Sequence, residues 1–167
     1  ANDEDGCHLV QLRHNANNEE MYGTTYGYHS SISSTMVSHL REKFDEVVSF
    51  VELKPGDCVL DIGCNDGTFL KCFQHEGCEI LGVDPAKNIA DKAIKNGIPT
   101  KSEFFTSDLA LSLVESNGNY DIVFARNVIP HVKAIHSIIE GINILMSEES
   151  TGIIEFHEAG LILKELH

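Results

Sequence analysis

Val59-Leu-Asp-Ile-Gly-Cys-Asn-Asp-Gly-Thr-Phe-Leu70 runs from a short apolar strand, through a loop with glycines at 63 and 67, into a helical pattern. A brief apolar run closed by glycines and followed by an amphipathic stretch is the opening of a βαβ unit. Gly63 permits a tight turn close to a ligand, and Gly67 lets the following helix approach with no side chain in the way. The helix N-terminus and its free backbone N–H groups are then expected to face that ligand. A purely structural turn is the alternative for both glycines.

Downstream of this loop, short apolar runs alternate with amphipathic stretches, as in a mainly parallel sheet flanked by helices. The pattern predicts strands over Cys58–Ile62, Glu79–Val83, Pro99–Phe104, Tyr120–Ala125 and Thr151–Phe156. It predicts helices over Gly67–His75, Lys87–Asn96, Leu109–Ser116 and Lys133–Met146. Upstream, Met36, Val37, Leu40, Phe44, Val47, Val48 and Val51 recur at helical spacing in a helix from Thr35 to Leu53, which Ser33 or Ser34 can cap and Lys54-Pro-Gly-Asp57 ends. Residues 1–34 lack such periodicity and read as a loop or the tail of a preceding N-terminal module; residues 35–167 read as the ligand-binding α/β domain.

With 167 residues, 42% of them hydrophobic, the chain can bury one sizeable core. Its 26 acidic against 12 basic side chains give a net charge of −14, a field that repels nucleic acid and anionic membrane surfaces. No apolar run approaches the roughly 20 residues of a membrane span. The polar, acidic start, Ala1-Asn-Asp-Glu-Asp-Gly6, lacks the features of a secretory leader, so a cytoplasmic location is expected. Five cysteines without a disulfide-like pattern read as reduced thiols. A small-molecule substrate is the partner these properties leave; they say nothing of oligomeric state.

A dinucleotide enzyme would require Gly-x-Gly-x-x-Gly in the loop, because a pyrophosphate must approach the backbone at the middle glycine. Asn65 stands there instead. Asp61, at the strand end, suits a cationic amino-acid ligand better than a diphosphate, and S-adenosylmethionine (SAM) carries both an ammonium and a sulfonium. Gly82-Val-Asp84 ends the second strand in an acid near the separation expected of a ribose-binding carboxylate. Asp84-Pro85 can equally cap the next helix. Asn127 leaves the fourth strand where ligands of open sheets gather, either as a ligand contact or as a turn residue before Pro130. Phe104 and Phe105 can cover an adenine or pack in the core. The candidate cofactor contacts are thus Asp61, Gly63, Cys64, Asn65, Gly67, Asp84, Pro85 and Asn127.

The combination of residues 61–70 with Gly82-Val-Asp-Pro-Ala86 and Arg126-Asn-Val-Ile-Pro-His-Val132 resembles the class I SAM-dependent methyltransferases, implying a Rossmann-like fold and SAM as cofactor. More narrowly, Tyr26-Gly-Tyr-His-Ser-Ser-Ile-Ser-Ser-Thr-Met36 and Glu155-Phe-His-Glu158 resemble segments of the C-methyltransferases of nucleotide-linked deoxysugars. That resemblance implies methylation of a carbon next to a ketone through an enolate. His131 is then a substrate-facing base, or a packed histidine beside Pro130. Tyr26 and Tyr28 orient the sugar or stabilise the enolate oxygen, or are packed aromatics. His157 also falls on the ligand side.

The family's N-terminal module binds zinc through several cysteines, but only Cys7 is present, with His8 and His14 as poor helpers, so no metal is expected. The family's Tyr-x-Glu-His segment has no match before His167, so the sheet is expected to be incomplete at its C-terminal edge and the chain to be a fragment or short form, inactive alone. O- or N-methylation of a small metabolite, or a catalytically silent SAM-binding fragment, are the competing readings.

Overall fold

The computed structural model describes Met21, Tyr22, residues 26–157 and Lys164. Its strands are β1 (Cys58–Ile62), β2 (Glu79–Val83), β3 (Thr100–Lys101), β4 (Tyr120–Arg126) and β5 (Met146–Glu155). All neighbours pair in parallel, in the order β3-β2-β1-β4-β5. The helices are α1 (Ser34–Val48), α2 (Leu70–His75), α3 (Lys87–Lys95), α4 (Ser107–Asn117) and α5 (Ile135–Leu145). Single 3-10 turns occupy Ser30–Ile32 and Ile129–His131. This is the α/β Rossmann-like arrangement expected. The chain winds outward from β1 in one direction and then from β4 in the other, which opens a crevice at the carboxyl ends of the two central strands. Among the described residues no helix is long and apolar enough to cross a membrane.

Strand alternation sorts the core into two layers. Val59, Ile122 and Phe124 face Leu40 and Phe44 of α1 and Phe73 of α2. Phe44, Phe69, Phe73 and Phe124 meet there edge to face or tilted, with ring centroids 4.9–5.2 Å apart. Leu60, Ile62, Val123 and Ala125 face the other way, onto Ala110 and Leu113 of α4 and Ile138, Ile142 and Leu145 of α5. Asp61 shares its parity with Val59 and Arg126 shares its parity with Phe124, so both polar side chains emerge on the aromatic face.

Several element bounds differ from the sequence reading. Helix α1 stops at Val48, because the Ser49 hydroxyl donates to the Glu46 carbonyl at 2.6 Å and the Phe50 and Val51 amides both turn back to the Val47 carbonyl. Strand β3 has only two residues. The chain then leaves the sheet, burying Phe105 so closely against Gly141 of α5 that a Cβ there would sit 2.7 Å from the ring. Strand β5 starts early but carries a bulge: Tyr120 aligns with Met146 and Ile122 with Thr151, and the Ser150 hydroxyl donates to the Tyr120 carbonyl at 2.7 Å. Helix α2 begins only at Leu70, because the Thr68 hydroxyl and amide are taken by Asp66 Oδ1 at 2.6 and 3.4 Å.

Gly82 lets the loop after β1 lie flat on β2, since a Cβ at this position would overlap Cys64 Sγ. Asp66, buried in the same loop, accepts from the Ser31 amide at 3.0 Å and lies 3.4 Å from the Lys92 ammonium. Burial pushes the Asp66 carboxyl up, but the bonds from Ser31 and Thr68 and the nearby Lys92 outweigh it and leave it below its ordinary value.

Gly82→Ala is expected to cost about 1–3 kcal/mol of unfolding free energy through overpacking. Combining it with Cys64→Ala should recover much of that loss, giving a coupling of about 1 kcal/mol or more in a denaturant double-mutant cycle; strictly additive costs would locate the strain elsewhere. Because the folded Asp66 titrates below its unfolded value near 3.9, its stabilisation is complete above that value and disappears as pH falls through the folded one. Asp66→Asn should therefore cost about 1–3 kcal/mol at neutral pH. The wild type's advantage should stay constant from about pH 6 to 8 and shrink below about pH 4, which melts across pH can check.

Candidate active site

A cleft of about 510 Å³ opens at the carboxyl ends of β1, β2 and β4, within the size range of small-molecule sites. One wall is Gly63, Asn65, Asp84 and Pro85; the opposite wall is Arg126, Asn127, Val128 and His131. The N-terminal segment supplies Tyr26, Tyr28 and Ser30. The structure thus gathers eight of the eleven candidate catalytic and cofactor residues into one cavity: Tyr26, Tyr28, Gly63, Asn65, Asp84, Pro85, Asn127 and His131. Asp61, Cys64 and Gly67 lie behind the wall, buried.

The loop holds its shape through left-handed backbone at Gly63 (φ 73°), Asn65 (φ 53°) and Gly67 (φ 76°). A Cβ at Gly63 would also stand 2.6 Å from Val128 Cγ2, so this residue lets the two walls meet. The expectation of free loop amides facing a ligand is corrected. The Gly63 and Cys64 amides donate to the Val83 carbonyl at 2.7 and 3.3 Å, the Asn65 amide to Asp84 Oδ2 at 2.9 Å, and the Gly67 amide to the Cys64 carbonyl at 3.1 Å. Helix α2 starts too far along the chain for its N-terminus to replace them. Four loop amides are spent inside the protein, which leaves a pyrophosphate little to bind.

Among the described residues, three aspartates are the buried charged residues at this end of the sheet. Asp61 is paired with Arg126, whose Nη2 donates to Oδ2 at 3.1 Å, while Oδ1 and the Arg126 Nε are buried without partners among the described residues. The guanidinium lies 3.8 Å over the Phe69 ring, a cation–π contact that helps hold it. Burial raises the Asp61 carboxyl, and Arg126 opposes that rise. Asp84 differs in having no cationic partner among the described residues. Its Oδ1 accepts from the Ala86 amide and its Oδ2 from the Asn65 amide, both at 2.9 Å, and the residue lines the cleft. Burial raises its carboxyl too, against the pull of these two amides.

On the far wall, Asn127 has φ 54°, donates its amide to the Glu155 carbonyl at 2.7 Å and its Nδ2 to Glu155 Oε1 at 3.3 Å. His131 ends the 3-10 turn after β4 and is exposed to the cleft, as is His157 beyond β5. Phe104 lines the rim half-exposed, whereas Phe105 lines the cleft from a buried seat in the core. Tyr22 and Tyr26 pack with centroids 5.5 Å apart. Burial raises both phenols, with nearby Asp84 adding to it, so both stay protonated donors at neutral pH.

Sequence reasoning missed Tyr22, His39 and Arg126, which also line the cleft. The signal for Arg126 was available: a buried Asp61 needs a cation, and Arg126 has the matching strand parity. His39 had none, since it sits on a helix read only for its apolar stripe. Among the described residues no group of three or more His, Cys, Asp or Glu could hold a metal ion; Cys7, His8 and His14 lie outside the described residues.

Residues 36–164 match the family model described as a methyltransferase domain. The C-methyltransferase NovU of Streptomyces niveus is 30% identical over 149 residues, covering 89% of this chain and 35% of that protein. Other curated relatives are O- and N-methyltransferases. The PH0226 protein of Pyrococcus horikoshii superposes with a TM-score of 0.64 at 18% identity, over 83% of this chain and 66% of that one. Magnesium protoporphyrin IX methyltransferase of Synechocystis, solved with bound SAH, does so with a TM-score of 0.57 at 18% identity, over 89% of this chain and 70% of that one. The chain spans about a third of the length of NovU. A family match over most of the chain, on a sheet of this order with its cleft at the strand reversal, makes this protein a member of the methyltransferase-domain family.

Proposed function

We propose that this chain forms the SAM-binding part of a methyltransferase, and that the full enzyme methylates a carbon next to a ketone in a small, sugar-like acceptor linked to a nucleotide. The observation that carries the cofactor reading is the site's charge pattern: a carboxylate facing the cleft without a cation, beside a loop whose amides are already used. That pattern suits a cationic, phosphate-free adenosyl ligand and disfavours a dinucleotide. Asp84 holds the ribose hydroxyls, pre-aimed by its two backbone bonds. Gly63 and Asn65 contour the wall along which the cofactor lies, and Pro85 and Phe104 flank the adenine. Asn127 faces it from β4. Asp61 acts from behind, fixing the guanidinium of Arg126 at the cleft floor.

When bound, SAM would supply an electrophilic methyl group. The chain's own contribution is on the acceptor side. His131 takes the proton from the acceptor carbon, and Tyr26 and Tyr28 donate hydrogen bonds to the oxygen on which negative charge then develops. Because burial and the nearby Asp84 raise its phenol, Tyr26 stabilises that oxygen without itself ionising. NovU, a C-methyltransferase, supports carbon as the acceptor atom. The segments Tyr26–Met36 and Glu155–Glu158, which resemble the deoxysugar C-methyltransferases, support the sugar.

Calorimetry should find SAM binding and no NADH binding. Asp84→Ala is expected to weaken SAM by roughly 1.5–3 kcal/mol, the value of hydrogen bonds to a charged group; an undiminished affinity would remove Asp84 from the ribose. In an enzyme extended at both ends, His131→Ala should lower turnover about 10²–10⁴-fold on a keto-sugar nucleotide with little change in SAM affinity. Collapse of SAM binding in that variant would reassign His131 to the cofactor, and turnover on hydroxyl or amine acceptors instead of ketones would replace the C-methylation reading.

A further inference from the structure

Asn65 joins three parts of the site. Its amide donates to Asp84 Oδ2, its Oδ1 accepts from the Ser30 amide at 2.8 Å, and its Nδ2 donates to the Tyr28 carbonyl at 3.3 Å. Glycine would adopt φ 53° without strain, so the side-chain amide is what this position gains over a glycine, and both its polar ends are used on the segment Tyr26–Ile32. That segment is a strap. Among the described residues it makes no backbone-to-backbone hydrogen bond to any other element. Its polar attachments come from side chains: Asn65, Asp66 to the Ser31 amide at 3.0 Å, Asn88 to the Tyr26 carbonyl at 2.9 Å, and Lys92 to the Ser31 hydroxyl at 2.8 Å. A segment held only by side chains opens at low cost, and this one carries Tyr26, Tyr28 and Ser30 into the cleft.

We propose that Asn65 is a positioning residue that couples cofactor occupancy to the acceptor wall. This rests on SAM being held at Asp84. A ligand gripping that carboxylate fixes the oxygen that receives the Asn65 amide, and a fixed Asn65 holds the strap's Tyr28 carbonyl and Ser30 amide. The tyrosine wall is therefore set after the cofactor enters, and the acceptor binds second.

The test is amide hydrogen exchange at Ser30 and Ser31 in the wild type, Asn65→Gly and Asn65→Asp, each free and saturated with SAM far above its own measured Kd. In the free proteins, exchange at Ser30 should be about tenfold faster in Asn65→Gly, as expected for losing one or two hydrogen bonds. SAM should slow exchange across the strap in the wild type and have little effect on it in Asn65→Gly. Asn65→Asp keeps an acceptor for the Ser30 amide and tolerates positive φ, so it should restore the SAM-dependent protection at Ser30. Equal SAM-induced protection in the wild type and Asn65→Gly overturns the coupling, as does a rise in exchange spread over the whole fold instead of confined to the strap. Absence of SAM binding in the wild type overturns the cofactor reading and the coupling together. Unchanged free-state exchange in Asn65→Gly overturns the role of Asn65 alone.

Discussion

Three carboxylates buried at one end of a parallel sheet each need donors, and the way those needs are met organises this molecule. Asp61 draws Arg126 across from β4 and seats it on Phe69. Asp66 takes the Ser31 amide, the Thr68 hydroxyl and Lys92, fastening the N-terminal segment to the loop. Asp84, which lines the cleft, accepts from two backbone amides and has no cationic partner among the described residues. The first two tie parts of the protein to one another, although Asp61 Oδ1 and Arg126 Nε have no partner among the described residues. The third leaves capacity for a ligand, and that difference separates the floor of the site from its binding surface.

The same accounting decides what the loop can recognise. In a phosphate-binding loop the amides point outward at the anion. Here they are consumed by Val83, Asp84 and Cys64, so the glycines serve contour and close approach instead of anion contact. A loop of similar spelling thus performs a different task, and the distinguishing residue is Asn65.

Much of the fold was legible because it follows local rules. Strands β1 and β2 fall where the apolar alternation places them, and α3, α4 and α5 fall within a residue or two of the amphipathic stretches. Gly63 and Gly67 marked the turn. What escaped the sequence is long-range. Asn65 read as a missing glycine, because its partners Tyr28 and Ser30 lie on a segment without periodicity. The start of α2 was misplaced because Asp66 competes for the amide and hydroxyl of Thr68. The early start of β5 depends on a serine bulge against Tyr120 that no alternation pattern encodes. Asp61 was assigned to the ligand from its position at a strand end, while its parity with Val59 turns it into the aromatic layer toward Arg126. Sequence pattern located the cleft; the choice of which aspartate faces it required the partners of all three.

The seating of Phe105 against Gly141 ties the depth of the cleft to a residue of α5 that does not itself line it. Phe105 lines the cavity on one side and meets the bare backbone of α5 on the other, with no slack between them. Position 141 therefore works like a set screw: any side chain added there drives the ring forward and shortens the pocket from behind. Members of this family could resize the cavity for bulkier or slimmer ligands through one remote position, with every residue that contacts the ligand left as it is.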